Sequence, residues 1–146
     1  MIKSQEGYAS EPLAKFHATL NVKGQIVIPQ KDREIFGLSK GDLVEIIVRK
    51  FKVEKGKIKI LGRGYATVKL SSKGLVTIPD EIRKGLGISS GETVEVLIVG
   101  FHKLDELLTD RGKRLLNSVK SSSVGKILSP AEEQNILHNT AKKYYF

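Results

Sequence analysis

An internal repeat constrains the fold of this sequence more than any other feature. Residues 23–51 match residues 73–101 at a constant offset of 50, and the match needs no gap. The identities fall on turn-forming, apolar and charged positions: Lys23-Gly24 with Lys73-Gly74, Ile28-Pro29 with Ile78-Pro79, Arg33 with Arg83, Gly37 with Gly87, Gly41 with Gly91, and Val44-Glu45 with Val94-Glu95. Such a repeat indicates one supersecondary unit that occurs twice.

Each copy has the pattern of strand, tight turn, strand, short helix and strand. In the second copy, residues 66–70 and 75–78 are rich in β-branched side chains, which is typical of strands. Gly74 suits the turn between them, because glycine tolerates a positive φ. Pro79 ends the second strand and suits the first turn of a helix, and Gly87 suits the C-terminal cap of that helix.

The segments around the second copy also carry local signals. Residues 52–61 predict a hairpin with its turn at Lys55-Gly56. After residue 101, Leu104, Leu107, Leu108, Leu115 and Val119 recur at helical spacing. Residues 121–125 predict a flexible joint. Ser129-Pro130-Ala131-Glu132 has the form of a capping box, which predicts a helix from there to about Lys142.

These signals divide the chain into four parts. We predict a disordered N-terminal tail over residues 1–14, a first copy with its trailing hairpin over 15–61, a second copy over 62–101 and a helical tail over 102–146. One copy alone has too few apolar side chains to close a core. We therefore expect both to intertwine into one barrel with pseudo-two-fold symmetry, although hairpins swapped between chains remain an alternative. The predicted core consists of Leu20, Ile26, Ile28, Ile35, Phe36, Leu38, Val44, Ile46 and Val48 with their counterparts.

The apolar stripe of the C-terminal tail has two interpretations. It packs on the chain's own barrel, or it forms an interface between subunits. We favour self-association into a homodimer or a higher homo-oligomer, because a closed barrel leaves the stripe in need of a cover.

Composition excludes several classes of protein. The chain has no cysteine, which excludes disulfides and thiolate metal sites. No apolar run approaches the ~20 residues that span a bilayer, and the N-terminus lacks the apolar stretch of a signal peptide. His17, His102 and His138 are isolated from one another and from any nucleophile motif. We therefore expect a cytoplasmic protein that is not an enzyme and binds no metal, cofactor or membrane.

The charge balance favours a nucleic acid partner. Lys and Arg number 25 against 16 Asp and Glu, which gives a net charge of +9 and an isoelectric point near 9.7. The excess is concentrated in residues 15–101, with 16 basic and 9 acidic side chains. A solvated basic surface without a partner is the alternative.

The repeat resembles a known family. Residues 73–88, from Lys73-Gly74 through Ile78-Pro79 and Arg83 to Gly87-Ile88, are similar to the AbrB-like (SpoVT/AbrB) signature, and residues 23–42 match it more loosely. The resemblance covers residues 15–101. It implies a mainly β fold with short helices, in which two tandem copies make a swapped-hairpin barrel, followed here by a helical tail.

The resemblance also implies a function. Members of the family are transcription regulators, antitoxins and small chromatin-type proteins, and their DNA surface uses the Lys-Gly loops and the short helices. Carried over to this chain, the residues that contact double-stranded DNA are Lys23, Gln25, Arg33, Lys73, Arg83 and Lys84. We expect a DNA-binding regulator or chromatin-type protein; the alternative is an antitoxin whose C-terminal helices bind a toxin.

Two departures from the family pattern separate the two copies. Leu75 follows the loop glycine of the second copy, where the family often has a polar or basic residue. Asp32 stands in the first copy where Ile82 stands in the second. We expect Asp32 to pair with a nearby base, and therefore Arg83 to contribute more to DNA binding than Arg33.

Overall fold

The computed structural model describes residues 11–107, 111, 113, 114 and 125–145. The elements in chain order are β1 (Ala14–Thr19), β2 (Gln25–Val27), α1 (Gln30–Phe36), β3 (Leu43–Glu54), β4 (Lys57–Lys69), β5 (Leu75–Thr77), α2 (Asp80–Leu86), β6 (Thr93–His102), α3 (Leu104–Leu107), β7 (Lys126–Leu128) and α4 (Pro130–Tyr144). The prediction of a mainly β chain with short helices and a C-terminal helix is confirmed.

The strands form two antiparallel sheets that interleave the copies. One sheet has five strands in the order β1-β6-β3-β4-β7, and β2 pairs with β5 in a separate two-stranded ribbon. Four ladders join one copy to the other: β1 with β6, β3 with β6, β2 with β5, and residues 43–50 of β3 with residues 62–69 of β4. Neither copy forms its sheet alone.

The two copies are related by reciprocal backbone hydrogen bonds. Ile28 N–H donates to Gly74 O over 2.9 Å, and Ile78 N–H donates to Gly24 O over the same distance. Matching bonds run from the Leu20 and Leu70 N–H groups to Glu92 O and Asp42 O, at 3.0 and 2.9 Å. Equivalent residues thus exchange equivalent bonds, which is the pattern of a pseudo-two-fold axis.

The five-stranded sheet is not closed into a barrel. Its edges are β1 and β7, and β7 belongs to the C-terminal segment rather than to either copy. The predicted AbrB-type barrel is therefore not confirmed. An open sheet is stable here because the β2–β5 ribbon and the short helices cover one face, and α4 covers part of the other.

The main core lies between the sheet and the ribbon. It consists of Leu20, Ile26, Ile28, Leu38, Val44, Ile46, Val48, Ala66, Val68, Leu70, Val76, Ile78, Ile82, Ile88, Val94, Val96 and Ile98. Ile35 was expected in this core, but it is 64% exposed. Its counterpart is Gly85, which lies against Ile127 of β7. The described chain places no strand like β7 beside the first copy, so nothing buries Ile35.

A second core fixes the C-terminal helix to the sheet. Leu128 and Leu137 are buried with Ile47, Leu97 and Val99 on the outer sheet face. The predicted capping box is present, since Ser129 Oγ accepts from Glu132 N–H at 3.1 Å and Glu132 Oε1 accepts from Ser129 N–H at 2.9 Å. The apolar side of α4 thus packs on its own chain, whereas Leu108, Leu115 and Val119 lie outside the described residues.

The ends of the predicted segments differ from the structure in detail. Residues 1–10 of the predicted tail and 121–124 of the predicted joint lie outside the described residues. Leu13, predicted to lie in the disordered tail, donates its backbone N–H to Ile98 O at 2.8 Å. Gly125, predicted to belong to the flexible joint, is buried against Pro79 and Ile82. In the described ranges, no helix has the length and apolar character needed to cross a membrane.

Candidate nucleic-acid interface

The two Lys-Gly loops have the same local geometry. Asn21 Oδ1 accepts hydrogen bonds from the backbone N–H groups of Lys23 and Gln25, both at 2.9 Å. In the second loop, Ser71 Oγ accepts from the N–H groups of Lys73 and Leu75 at 3.3 and 3.0 Å. Each short polar side chain thereby closes its turn. Both loop lysines are exposed at the tips.

In each copy, the arginine contacts the loop of the other copy. Arg33 Nε donates to Ile28 O at 3.0 Å, and Arg83 Nε donates to Ile78 O at 2.9 Å. The guanidinium groups then extend over the loops of the other copy. A Cβ on Gly74 would lie 2.6 Å from Arg33 Cζ, and a Cβ on Gly24 would lie 2.7 Å from Arg83 Cζ.

The loop glycines therefore have a role that sequence reasoning did not anticipate. The sequence predicted that the loop glycine takes a positive φ. The φ values are 75° at Gly24 and 78° at Gly74. Both glycines are buried. The group that approaches each of them is an arginine of the same chain, so these glycines are needed to bring loop and helix together.

An ion pair was expected beside Arg33 in the first copy, but the structure has it at Arg83 in the second copy. Arg83 forms an ion pair with Asp80, three residues earlier on α2. Within the described part of the chain, neither Arg33 nor Asp32 has an ion-pair partner. The counterpart of Asp80 is Gln30, whose side chain donates to Glu34 Oε1 at 3.0 Å. The expected pairing of Asp32 with a nearby base is therefore wrong among the described residues, and the carboxylate that pairs with an arginine lies in the second copy.

The remaining predicted residues lie beside these arginines. Gln25, opposite Thr77 in the ribbon, accepts from Asn21 Nδ2 at 3.0 Å. Lys84 is exposed on α2, next to Arg83. We call the surface formed by Lys23, Gln25, Arg33, Lys73, Arg83 and Lys84 the loop face. Arg83 lies on the loop of Lys23 and Arg33 lies on the loop of Lys73, so the structure places these residues in two groups at opposite ends of the ribbon.

The size of the loop face follows from the β2–β5 ribbon. The reciprocal bonds place Gly24 beside Ile78 and Gly74 beside Ile28, at opposite ends of the ribbon. Four residues of strand at roughly 3.3 Å each separate the two glycines by about 13 Å. This separation is close to the ~12 Å width of the major groove of B-DNA.

The opposite side of the sheet carries a network of buried charges. Arg49 donates two hydrogen bonds to the Glu133 carboxylate, both at 2.9 Å, and one to Glu95 at 2.8 Å. Burial opposes the charge of Arg49, but the bonds to Glu133 and Glu95 outweigh it and raise the pKa of the guanidinium. Arg63 Nε lies 3.2 Å from Glu133 without hydrogen-bond geometry. This network holds α4 on the sheet.

A second polar cluster lies nearby. Tyr65 donates to Glu45 Oε1 and His102 Nε2 bonds Glu45 Oε2, both at 2.7 Å. The bond from His102 lowers the pKa of the Glu45 carboxyl, although burial opposes the shift. Burial, reinforced by the charge of Glu45, raises the pKa of the Tyr65 hydroxyl. The cluster borders a cavity of about 530 Å³ between the sheet and α4.

Two of the histidines lie beside carboxylates. His102 bonds Glu45, and His17 Nε2 lies 3.5 Å from Glu95 Oε2. Strand pairing joins them to carboxylates 57 and 78 residues away in the chain, so sequence spacing gave no signal. In the part of the chain that the structure describes, no group of three or more His, Asp or Glu side chains is arranged to hold a metal ion.

One solved structure is similar to this chain. The solution structure of PHS018 from Pyrococcus horikoshii has 39% sequence identity and a TM-score of 0.53, and the match covers 64% of this chain and 96% of that chain. No model of a known protein family and no curated protein matches the sequence. The AbrB-like resemblance therefore stays a prediction.

Proposed function

We propose that this chain, which belongs to one protein family with PHS018 of Pyrococcus horikoshii, binds double-stranded DNA through the loop face. It acts in this proposal as a transcription regulator or a chromatin-type protein. The observation that carries the proposal is the crossed packing of the two copies. Arg33 on Gly74 and Arg83 on Gly24 fix two lysine-tipped loops at opposite ends of the ribbon, with the two glycines about 13 Å apart.

The exposed charges of the loop face support a phosphate contact. Lys23, Lys73 and Lys84 are exposed, and within the described chain none of them has an ion-pair partner. Lysines of this kind neutralise phosphates and make binding dependent on salt. Arg33 suits base contact better than Arg83, because its Nη groups face no carboxylate among the described residues, whereas Arg83 is neutralised by Asp80.

The proposal includes an AbrB-like relationship for the repeat. Its support is the interleaved pairing of the two copies and their reciprocal hydrogen bonds around the ribbon. The departure is the open sheet, in which β7 of the tail occupies the outer edge of β4. The proposal therefore concerns the loops and short helices rather than a closed barrel.

The structure gives no specific support to the antitoxin alternative or to self-association through α4. Leu137 and Ala141 of α4 are buried, and Thr140 Oγ1 donates to Val99 O at 2.7 Å. A helix whose apolar side is already covered is a poor ligand for a toxin or a second subunit. Self-association would have to use the segment 104–119, most of which lies outside the described residues.

The proposal is tested by titrating the full chain into a fluorescent duplex at two salt concentrations. We expect Lys23→Gln/Lys73→Gln to weaken binding by about tenfold or more and to reduce the salt slope by roughly two units. The matched control is Lys15→Gln/Lys142→Gln, which removes the same charge from exposed positions outside the loop face. Equal affinities for the two double variants would contradict the proposal, provided that circular dichroism shows both to be folded.

A further inference from the structure

Part of the β3–β4 hairpin projects beyond the sheet. Pairing of β3 with β6 ends at Arg49 opposite Glu95, and pairing of β4 with β7 ends at Arg63 opposite Leu128. Beyond these points, residues 50–62 pair only with one another among the described strands, and the register shifts between Lys50 and Phe51. We call residues 51–62 the β-arm. Its four-residue strand from Phe51 to Glu54 extends about 13 Å at roughly 3.3 Å per residue.

The tip of the β-arm is a tight two-residue turn. Lys55 and Gly56 have φ values of 53° and 75°, and Lys55 is the only residue other than glycine with a positive φ in the described chain. Two positive φ values indicate a type I′ turn, whose twist matches that of the flanking strands. The β-arm is therefore an ordered ribbon with a defined register rather than a loose loop.

The two sides of the β-arm differ in chemistry. The register pairs Lys52 with Lys59 and Glu54 with Lys57 on one side, and Phe51 with Ile60 and Val53 with Ile58 on the other. The β-arm has one carboxylate, that of Glu54, and four exposed lysines: Lys52, Lys55, Lys57 and Lys59. Lys52 Nζ lies 2.9 Å from Glu54 Oε2, which leaves three lysines without that neutralisation.

The base of the β-arm shows which way its lysines face. Lys50, on the lysine side, donates to Gly87 O at 2.7 Å at the end of α2. Phe51, on the apolar side, meets His17 with ring centroids 5.3 Å apart. Because side chains alternate along a strand, the lysines lie on the same side of the sheet as α2 and the loop face.

We propose that the β-arm enters a groove of the duplex that the loop face binds, with its lysines on the phosphates. This inference rests on the proposed function and names a second contact for it. A two-stranded ribbon fits the major groove, which is ~12 Å wide and ~8.5 Å deep. The β-arm, about 13 Å long, is long enough to reach the floor of this groove, and its positive side is complementary to the phosphates. Lysines on exposed strands also deter aggregation, but that role does not require them to share a side with the loop face.

The first experiment compares double variants in titrations of one fluorescent duplex. We expect Lys57→Gln/Lys59→Gln to weaken binding by about tenfold and to reduce the salt slope by roughly two units relative to Lys15→Gln/Lys142→Gln. If it binds like the control while Lys23→Gln/Lys73→Gln is weakened, the β-arm proposal is overturned and the loop face stands. If only the β-arm variant is weakened, the loop face is overturned instead. If the unmodified chain binds no duplex, both fail.

The second experiment uses the absence of cysteine, which allows a photo-crosslinker to be attached at one introduced site. We expect Lys59→Cys to crosslink to the bound duplex and Ile58→Cys, on the apolar side, to crosslink far less. Crosslinks between protein copies from both sites, with none to the duplex, would overturn the proposal and assign the β-arm to a protein contact.

Discussion

The guanidinium group of Arg83 lies directly against the backbone of Gly24, although the two residues belong to different copies of the repeat. Arg33 and Gly74 have the same relationship. Each arginine thus packs its own helix against the loop of the other copy. Its Nε bond to a carbonyl of its own copy fixes the direction in which the guanidinium points.

Substitution of Gly24 tests this contact against backbone strain. Gly24 and Gly56 both have a φ of 75°, but a Cβ at Gly56 would meet nothing within 4 Å. Alanine at either position has a cost of roughly 1–2 kcal/mol from the left-handed backbone. We expect Gly24→Ala to lower the free energy of unfolding more than Gly56→Ala, because it also displaces Arg83. Urea unfolding of both variants measures the difference, and equal losses would contradict the packing role.

The related contact in the first copy is suited to a double-mutant cycle. We expect Gly74→Ala to cost less free energy of unfolding in an Arg33→Ala background than in the unmodified chain. The added methyl group then has no guanidinium to displace. Additive effects of the two substitutions, measured by urea unfolding, would show that the contact contributes nothing.

Removal of the carboxylate beside Arg83 tests the electrostatics of the loop face. We expect Asp80→Asn to strengthen binding to a duplex, because it frees the guanidinium of Arg83 from its ion pair. Asp105→Asn is the matched control, since it changes the net charge equally at an exposed position on α3. Titrations at moderate salt compare the two. A gain no larger than that of the control would mean that Arg83 does not contact DNA.

The buried network under α4 predicts a large loss of stability from one substitution. Glu133→Gln removes the carboxylate that accepts two hydrogen bonds from Arg49. Because the substitution leaves a partly buried guanidinium without its main partner, we expect the free energy of unfolding to fall by about 3 kcal/mol. Glu81→Gln, at an exposed position on α2, should stay within about 0.5 kcal/mol of the unmodified chain. Urea unfolding that gave similar losses for both would contradict the role of the network.

The Glu45 cluster predicts a dependence of stability on pH. The pKa of Glu45 is lowered in the folded chain from an ordinary value of 4.5. The stability that its charge contributes is therefore present above the ordinary value and is lost as the pH falls through the lowered folded value. We expect the gap in unfolding free energy between the unmodified chain and Glu45→Gln to narrow from about pH 7 to about pH 3. A gap independent of pH would show that the charge contributes no stability.

The sequence by itself determined the features that depend on neighbouring residues. The repeat, the turn at Lys55-Gly56, the Ser129–Glu132 capping box and the approximate extent of α4 were predictable. Each depends on backbone conformation or on hydrogen bonds between residues a few positions apart. The six DNA contacts that the family resemblance implies stay a prediction.

Only the tertiary structure decided which distant groups meet. Asp32 stands next to Arg33 in the chain, yet Arg33 instead lies on Gly74, and a carboxylate pairs with Arg83. Ile35 follows the apolar pattern of the core, but it is exposed because β7 lies only beside the second copy, where Gly85 leaves room for Ile127. Local spacing fixes the direction of a side chain from its own helix or strand. What it meets there depends on the packing of segments far apart in sequence, which no local pattern records.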